Sequence, residues 1–207
     1  MKKKYILIVI VTLLAVFAVS CYNVSEPCVE ADDFFPLRIG DKFLYKLSPK
    51  SHSNYLYPTE YEVSVTSTVD TLGKTYYVIE NYFSVNNWIG GKLYVRNEDN
   101  NVYFLDKSGE ILYYRFNASL NSEYPIILGA ASDSNWHHTP AIIKKISYDT
   151  NYLKFFIGLT PEHPSYKNYK SYITFERGKG RTQVVTQSLL DDGTIYENII
   201  YDLVEVY

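Results

Sequence analysis

Two hydrophobic patterns divide the chain. From Tyr5 to Val19, fifteen residues carry one polar side chain, Thr12, and Lys2, Lys3 and Lys4 stand immediately before them. Beyond residue 21 the apolar positions fall into short runs with a period of two, and the 3.6-residue spacing of an amphipathic helix is not sustained anywhere. The clearest run sets Tyr61, Val63, Val65 and Val69 on one face and Glu60, Glu62, Ser64, Thr66 and Thr68 on the other. This is a strand with one wet face.

Similar runs recur from Lys42 to Val206, separated by turn-forming groups such as Leu72-Gly73-Lys74, Asp149-Thr150-Asn151, Arg177-Gly178-Lys179-Gly180 and Asp191-Asp192-Gly193. Short strands joined in this way predict an antiparallel meander. Residues 48–58 and 160–168 are Pro-bearing loops, and residues 117–139, rich in Ser, Asn and Ala, are expected to be a long irregular insertion. No repeat length is sustained, which argues against a propeller or solenoid. The expectation is one all-β domain of about ten antiparallel strands, a strongly curved sheet in the form of a half-barrel or a sandwich. Strands such as 152–157, apolar on both faces, are expected to be covered on both sides.

Composition sharpens this picture. The chain has 22 Tyr and 10 Phe but a single Met, the initiator. Aromatic residues favour strands, and a tyrosine packs its ring while its hydroxyl reaches water, so most of these tyrosines read as sheet packing. Loss of residues 1–20 would remove Lys2, Lys3 and Lys4 and no acidic residue, taking the net charge from −3 to −6. An acidic domain is a poor partner for nucleic acid and lacks a polybasic membrane patch.

No motif for chemistry stands out. The four histidines, His52, His137, His138 and His163, show no metal-ligand spacing, and adjacent side chains in an extended Trp136-His137-His138 would point to opposite faces. There is no nucleophile elbow, and Asp32/Asp33 and Asp191/Asp192 fall in spacer and turn positions. Gly178-Lys179-Gly180-Arg181 lacks the spacing of a phosphate loop and reads as a hairpin turn. The expectation is therefore no catalytic residue, no metal and no cofactor. The candidate ligand surface is aromatic: Trp88 in one turn and Trp136, His137 and His138 in the long loop.

The leader supplies an address. A basic n-region, an apolar h-region and small residues before a cleavage point make a signal peptide, and fifteen apolar residues fall short of the roughly 20 that span a bilayer. Ala18-Val19-Ser20-Cys21 resembles the bacterial lipobox. The resemblance implies acylation of Cys21 and cleavage before it, with membrane lipid as the partner of the mature terminus. An ordinary secretory signal and an uncleaved anchor are the alternatives. Cys28 would then have no intrachain partner, leaving a free thiol, an intermolecular disulfide or a second acylation. The domain layout expected is 1–20 signal peptide, 21–33 lipidated acidic spacer and 34–207 β domain.

Phe35-Pro36-Leu37-Arg38-Ile39-Gly40-Asp41-Lys42-Phe43-Leu44-Tyr45 resembles the opening of a group of uncharacterised secreted bacterial lipoproteins, FPL-x-x-G-x-x-aromatic-x-Tyr. Gly73 to Ile79, Leu93 to Arg96 and Phe175 to Gly180 fit the same pattern in order. Members more often carry Trp where Phe43 stands and a hydrophobic residue where Lys179 does. The resemblance implies an all-β extracytoplasmic domain tethered to the cell envelope and brings no catalytic residue. Two functions fit: a binding or structural module that meets a glycan, an apolar ligand or an envelope protein, and a carrier of an apolar ligand or lipid in a curved half-barrel. A cell-envelope hydrolase is a distant third.

Overall fold

In a computed structural model of the chain, the described residues are 30–54, 56–82, 91–106, 109–128, 139–162 and 166–207. They form one turn of helix, α1 (Ala31–Phe34), and twelve strands: β1 (Lys42–Leu47), β2 (Glu60–Thr71), β3 (Lys74–Glu80), β4 (Lys92–Glu98), β5 (Asn101–Asp106), β6 (Gly109–Arg115), β7 (Glu123–Leu128), β8 (Thr139–Tyr148), β9 (Tyr152–Leu159), β10 (Tyr169–Glu176), β11 (Gly180–Leu189) and β12 (Ile195–Val206). A 3-10 turn, Tyr166–Asn168, precedes β10. All twelve strands lie in one antiparallel sheet, ordered β6-β5-β4-β3-β2-β1-β12-β11-β10-β9-β8-β7. Two six-strand meanders thus meet where β1 pairs with β12, and the sheet curls into a nearly closed barrel. The sandwich alternative falls away.

The strand missing from the sequence reading is β7, inside the expected irregular insertion. Pro125 interrupts it, and a proline argues against a central strand. β7 is an edge strand, where an absent N–H costs no ladder bond. The other edge is β6, and a tyrosine bridges the seam between them. The Arg115 amide donates to Tyr124 Oη at 2.8 Å, and the Arg115 guanidinium lies 5.1 Å from the centre of the Tyr124 ring.

A barrel much wider than eight strands is too broad for ordinary side chains to fill. Here the aromatic composition finds its use. Phe34, Phe116, Phe155, Phe175 and Tyr114 are fully buried and pack ring on ring, with Tyr114–Phe175 centroids 5.0 Å apart and Phe116–Phe175 5.3 Å. Tyr45 stacks on Tyr61 at 5.0 Å, and Tyr61 meets the edge of Tyr201 at 4.9 Å. The alternation read from sequence points these rings inward, as in Phe43 and Tyr45 of β1 and Leu153, Phe155 and Ile157 of β9. It fails at Val69. A register shift between Val65 and Ser67 moves the rest of β2 to the other face, and Val69 is exposed. The outer face of β9 is only half covered, because Phe156 leans on Tyr172 instead of on a second layer.

The packed domain also begins earlier than composition suggests. Ala31 and Phe34 are completely buried. Asp33 forms an ion pair with Arg177, Asn97 Nδ2 donates to Asp32 Oδ1 at 2.7 Å, and the Ala31 amide donates to the Asp99 carbonyl at 3.1 Å. The acidic residues assigned to a spacer therefore fasten α1 across one end of the barrel.

Strand direction gives the barrel two unlike ends. Ala31, Tyr207 and the turns at 72–73, 99–100, 149–151 and 177–179 share one, here the proximal end, together with the 116–122 link between the sheet edges. The connections at 48–59, 81–91, 107–108, 129–138, 160–168 and 190–194 all leave from the opposite, distal end.

Candidate functional site

At the distal end, the β11–β12 hairpin and the 3-10 turn before β10 enclose a groove of about 540 Å³. Its floor includes the buried Leu159 and Leu189; its rim carries the exposed Tyr196 and Leu190. Asn168 Nδ2 donates to Asp191 Oδ1 at 3.1 Å, which sets an amide and a carboxylate side by side on the rim. The hairpin is closed by Asp192, whose carboxylate accepts the Thr194 amide at 2.8 Å; that bond lowers the Asp192 pKa. The strands beneath are interior to the sheet, so the groove presents side chains and not a free backbone edge.

Beside the groove, residues 48–59 run as a strap over β12. His52 exchanges two 2.9 Å backbone bonds with Asn198, and Tyr201 Oη donates to the Pro58 carbonyl at 2.8 Å. Burial pushes the Tyr201 phenol up to about 12. The buried Glu197 accepts hydroxyl bonds from Ser53, from Tyr57 at 3.1 Å and from Ser188 at 3.1 Å, tying the strap to β11. A buried carboxylate needs such donors. The arrangement is a clasp that holds the strap against the sheet.

Inside the barrel, Arg181 is buried with its guanidinium 4.3 Å from the Tyr82 ring centre and 5.1 Å from that of Tyr45, whose hydroxyl donates to the Arg181 carbonyl at 2.6 Å. Burial raises the phenol pKa of Tyr45, Tyr61, Tyr113 and Tyr114, so these hydroxyls stay neutral. The cavity that Arg181, Tyr45 and Tyr82 share with Phe43, Val63 and Ile79 holds about 30 Å³, space for a water or two.

The strongest charge cluster is on the barrel's outer wall. Glu110 takes a two-pronged bond from Arg96, with Nη2–Oε2 at 2.8 Å, and accepts from Lys74 at 2.8 Å and Tyr76 at 2.7 Å. Arg96 above all, helped by Lys74 and Tyr76, holds the Glu110 carboxyl down at about 2. Arg96 also reaches Glu98 at 2.9 Å and stacks on Tyr103. Every member has a partner in the wall, which is the pattern of a structural network.

Trp88, Trp136, His137 and His138 lie outside the described residues, as do Cys21, Cys28 and His163. The strands that flank the two tryptophan positions, β3 with β4 and β7 with β8, have their connected ends at the distal end. Among the described residues no group of three or more His, Cys, Asp or Glu could hold a metal ion. Sequence reading passed over Asn168, Asp191 and Tyr196. The available signal was the contrast between alternate connections, since in a meander every second one shares an end.

No protein-family model matches the sequence, and a search of curated proteins finds no relative. Among solved structures, the chain is similar to a "putative lipoprotein" from Parabacteroides distasonis, with 12% identity, a TM-score of 0.51 and coverage of 88% of this chain and 100% of that one. It is also similar to a "putative exported protein with YmcC-like fold" from Bacteroides fragilis, with 10% identity, a TM-score of 0.47 and coverage of 87% and 100%. At 12% identity the first likeness is one of fold.

Proposed function

We propose that this chain is an envelope lipoprotein, held in a membrane through acylated Cys21, whose extracytoplasmic barrel is a non-enzymatic binding or structural module working through its distal end. The observation that carries the reading is the polarity of the fold. The chain enters the barrel at Ala31 on the proximal end, and the Asn168–Asp191–Tyr196 groove stands at the opposite end, from which the long connections leave. Loops on a rigid scaffold are the usual site of recognition. The lipoprotein name carried by the similar fold from Parabacteroides distasonis supports the same address.

Among the described residues, the cavity beside Arg181 holds only about 30 Å³, too little for an acyl chain, which favours a module over a carrier. At the groove, an exposed aromatic ring beside a fixed donor and acceptor suits a glycan or a polar protein surface. Two measurements test the reading. Cys21→Ser should move the mature protein from the membrane fraction to the soluble one; a mutant that remains membrane-bound sinks the anchor. Titration of the full chain with a panel of envelope glycans, followed by NMR, should shift Tyr196 and Asn168 signals first. Shifts confined to other surfaces would remove the groove from the proposal.

A further inference from the structure

β2 and β3 run past the packed wall. Val65 is buried, but residues 66–70 and 72–75 are exposed. At the tip, Leu72 and Gly73 have φ of 52° and 72°. Two consecutive positive φ values define the tight hairpin turn whose preferred sequence is Asn-Gly. Leucine adopts that backbone only under strain, and the Leu72 side chain is 69% exposed, so packing returns nothing. Strain that folding does not require points to use.

The surroundings say what use. β3, β2, β1 and β12 are neighbours in the sheet. At the base of this hairpin, roughly 23 Å back along β2 from the tip, stand further exposed apolar side chains: Ile39, placed by the Gly40 amide on the Val65 carbonyl at 2.8 Å, and Val206 and Tyr207, beside Lys42 at the start of β1. Arg38, Lys42 and Glu205 are exposed among them, and Glu62 pairs with Lys42 and accepts the Tyr207 hydroxyl. The chain from Cys21 to Glu30, even fully extended, reaches roughly 30 Å, so an acylated Cys21 keeps this end close to the bilayer.

We propose that Leu72 at the tip of the hairpin and Ile39, Val206 and Tyr207 at its base touch the phospholipid interface as two separate contacts that together set the tilt of the barrel. This rests on the acylation of Cys21 proposed above. A few side chains bind a bilayer weakly alone; the anchor supplies the effective concentration that makes the contact count.

The test uses full-length acylated protein in phosphatidylcholine nanodiscs containing headgroup-nitroxide lipid, in a Cys28→Ser background. A fluorophore on Leu72→Cys should be quenched several-fold more than one on Leu190→Cys. Leu72→Asn should relieve the turn and raise the unfolding midpoint by about a few degrees, yet reduce quenching of a fluorophore on Ile39→Cys. Equal quenching at positions 72 and 190, or unchanged quenching at 39 in the Leu72→Asn protein, overturns the contact. The mass of the N-terminal peptide reads acylation separately. An acylated protein without quenching at 72 refutes the contact alone, whereas an unmodified Cys21 refutes the anchor and the contact with it.

Discussion

The two ends of the barrel are built by opposite rules. The proximal end is closed: α1 plugs it, most turns are two or three residues long, and acidic residues near the chain's point of entry are bonded to Asn97 and Arg177. At the distal end, the described part of the 48–59 connection is strapped down by Glu197, and residues of the 160–168 and 190–194 connections border an open groove. The same sheet therefore has one end fixed by packing and one end that keeps an open groove. The lesson is that polarity in a meander comes from which connections are long, and chain direction alone decides which ones share an end.

If packing holds the proximal half, its rings should carry the stability. Phe116→Ala, which empties a fully buried position against Phe34, Phe155 and Phe175, should cost about 3–5 kcal/mol in urea unfolding. A loss near zero would mean that the aromatic cluster is not the core of the fold. The wall between the ends is fixed by charge. Glu110→Gln should cost about 3 kcal/mol, because it leaves the buried Arg96 with a weaker partner. A carboxyl whose pKa falls on folding adds stability that is complete above its ordinary value of 4.5 and is lost as pH drops toward about 2. Wild-type protein should lose stability across that window, and Glu110→Gln should lose less of it. Parallel pH profiles for the two proteins would contradict this.

Smaller effects probe the seam and the distal rim. Tyr124→Phe removes the hydroxyl that meets the β6 edge and should cost about 1 kcal/mol, with faster amide exchange at Arg115 as its local signature. At the distal end, Leu190→Ser should change stability by no more than about 0.5 kcal/mol, since its side chain is half exposed. A large loss there would erase the contrast between the ends.

Much of the fold was legible because the interior is one-sided. Alternation in β1, β9 and β10 marks the buried face directly, and most turns fall where Gly, Asn and Asp collect. Three features were hidden for physical reasons. β7 tolerates Pro125 only because it is an edge, and edge status is a property of the whole sheet. The bulge after Val65 flips Val69 without leaving a mark in the pattern. Asp32 and Asp33 look like solvated spacer until Asn97 and Arg177, distant in sequence, arrive beside them. The groove was missed for a related cause: Asn168, Asp191 and Tyr196 are ordinary loop residues until the barrel brings them together.

The orientation of the barrel on its membrane is the most direct test. Acylated full-length protein carrying Cys28→Ser would be labelled at Lys179→Cys, in the proximal β10–β11 turn, or at Leu56→Cys, in the distal strap. Energy transfer to acceptor lipids in the same vesicles then reports the height of each site. Higher transfer from position 179 than from position 56 is predicted. Equal transfer, or higher transfer from position 56, would contradict a distal end turned away from the membrane.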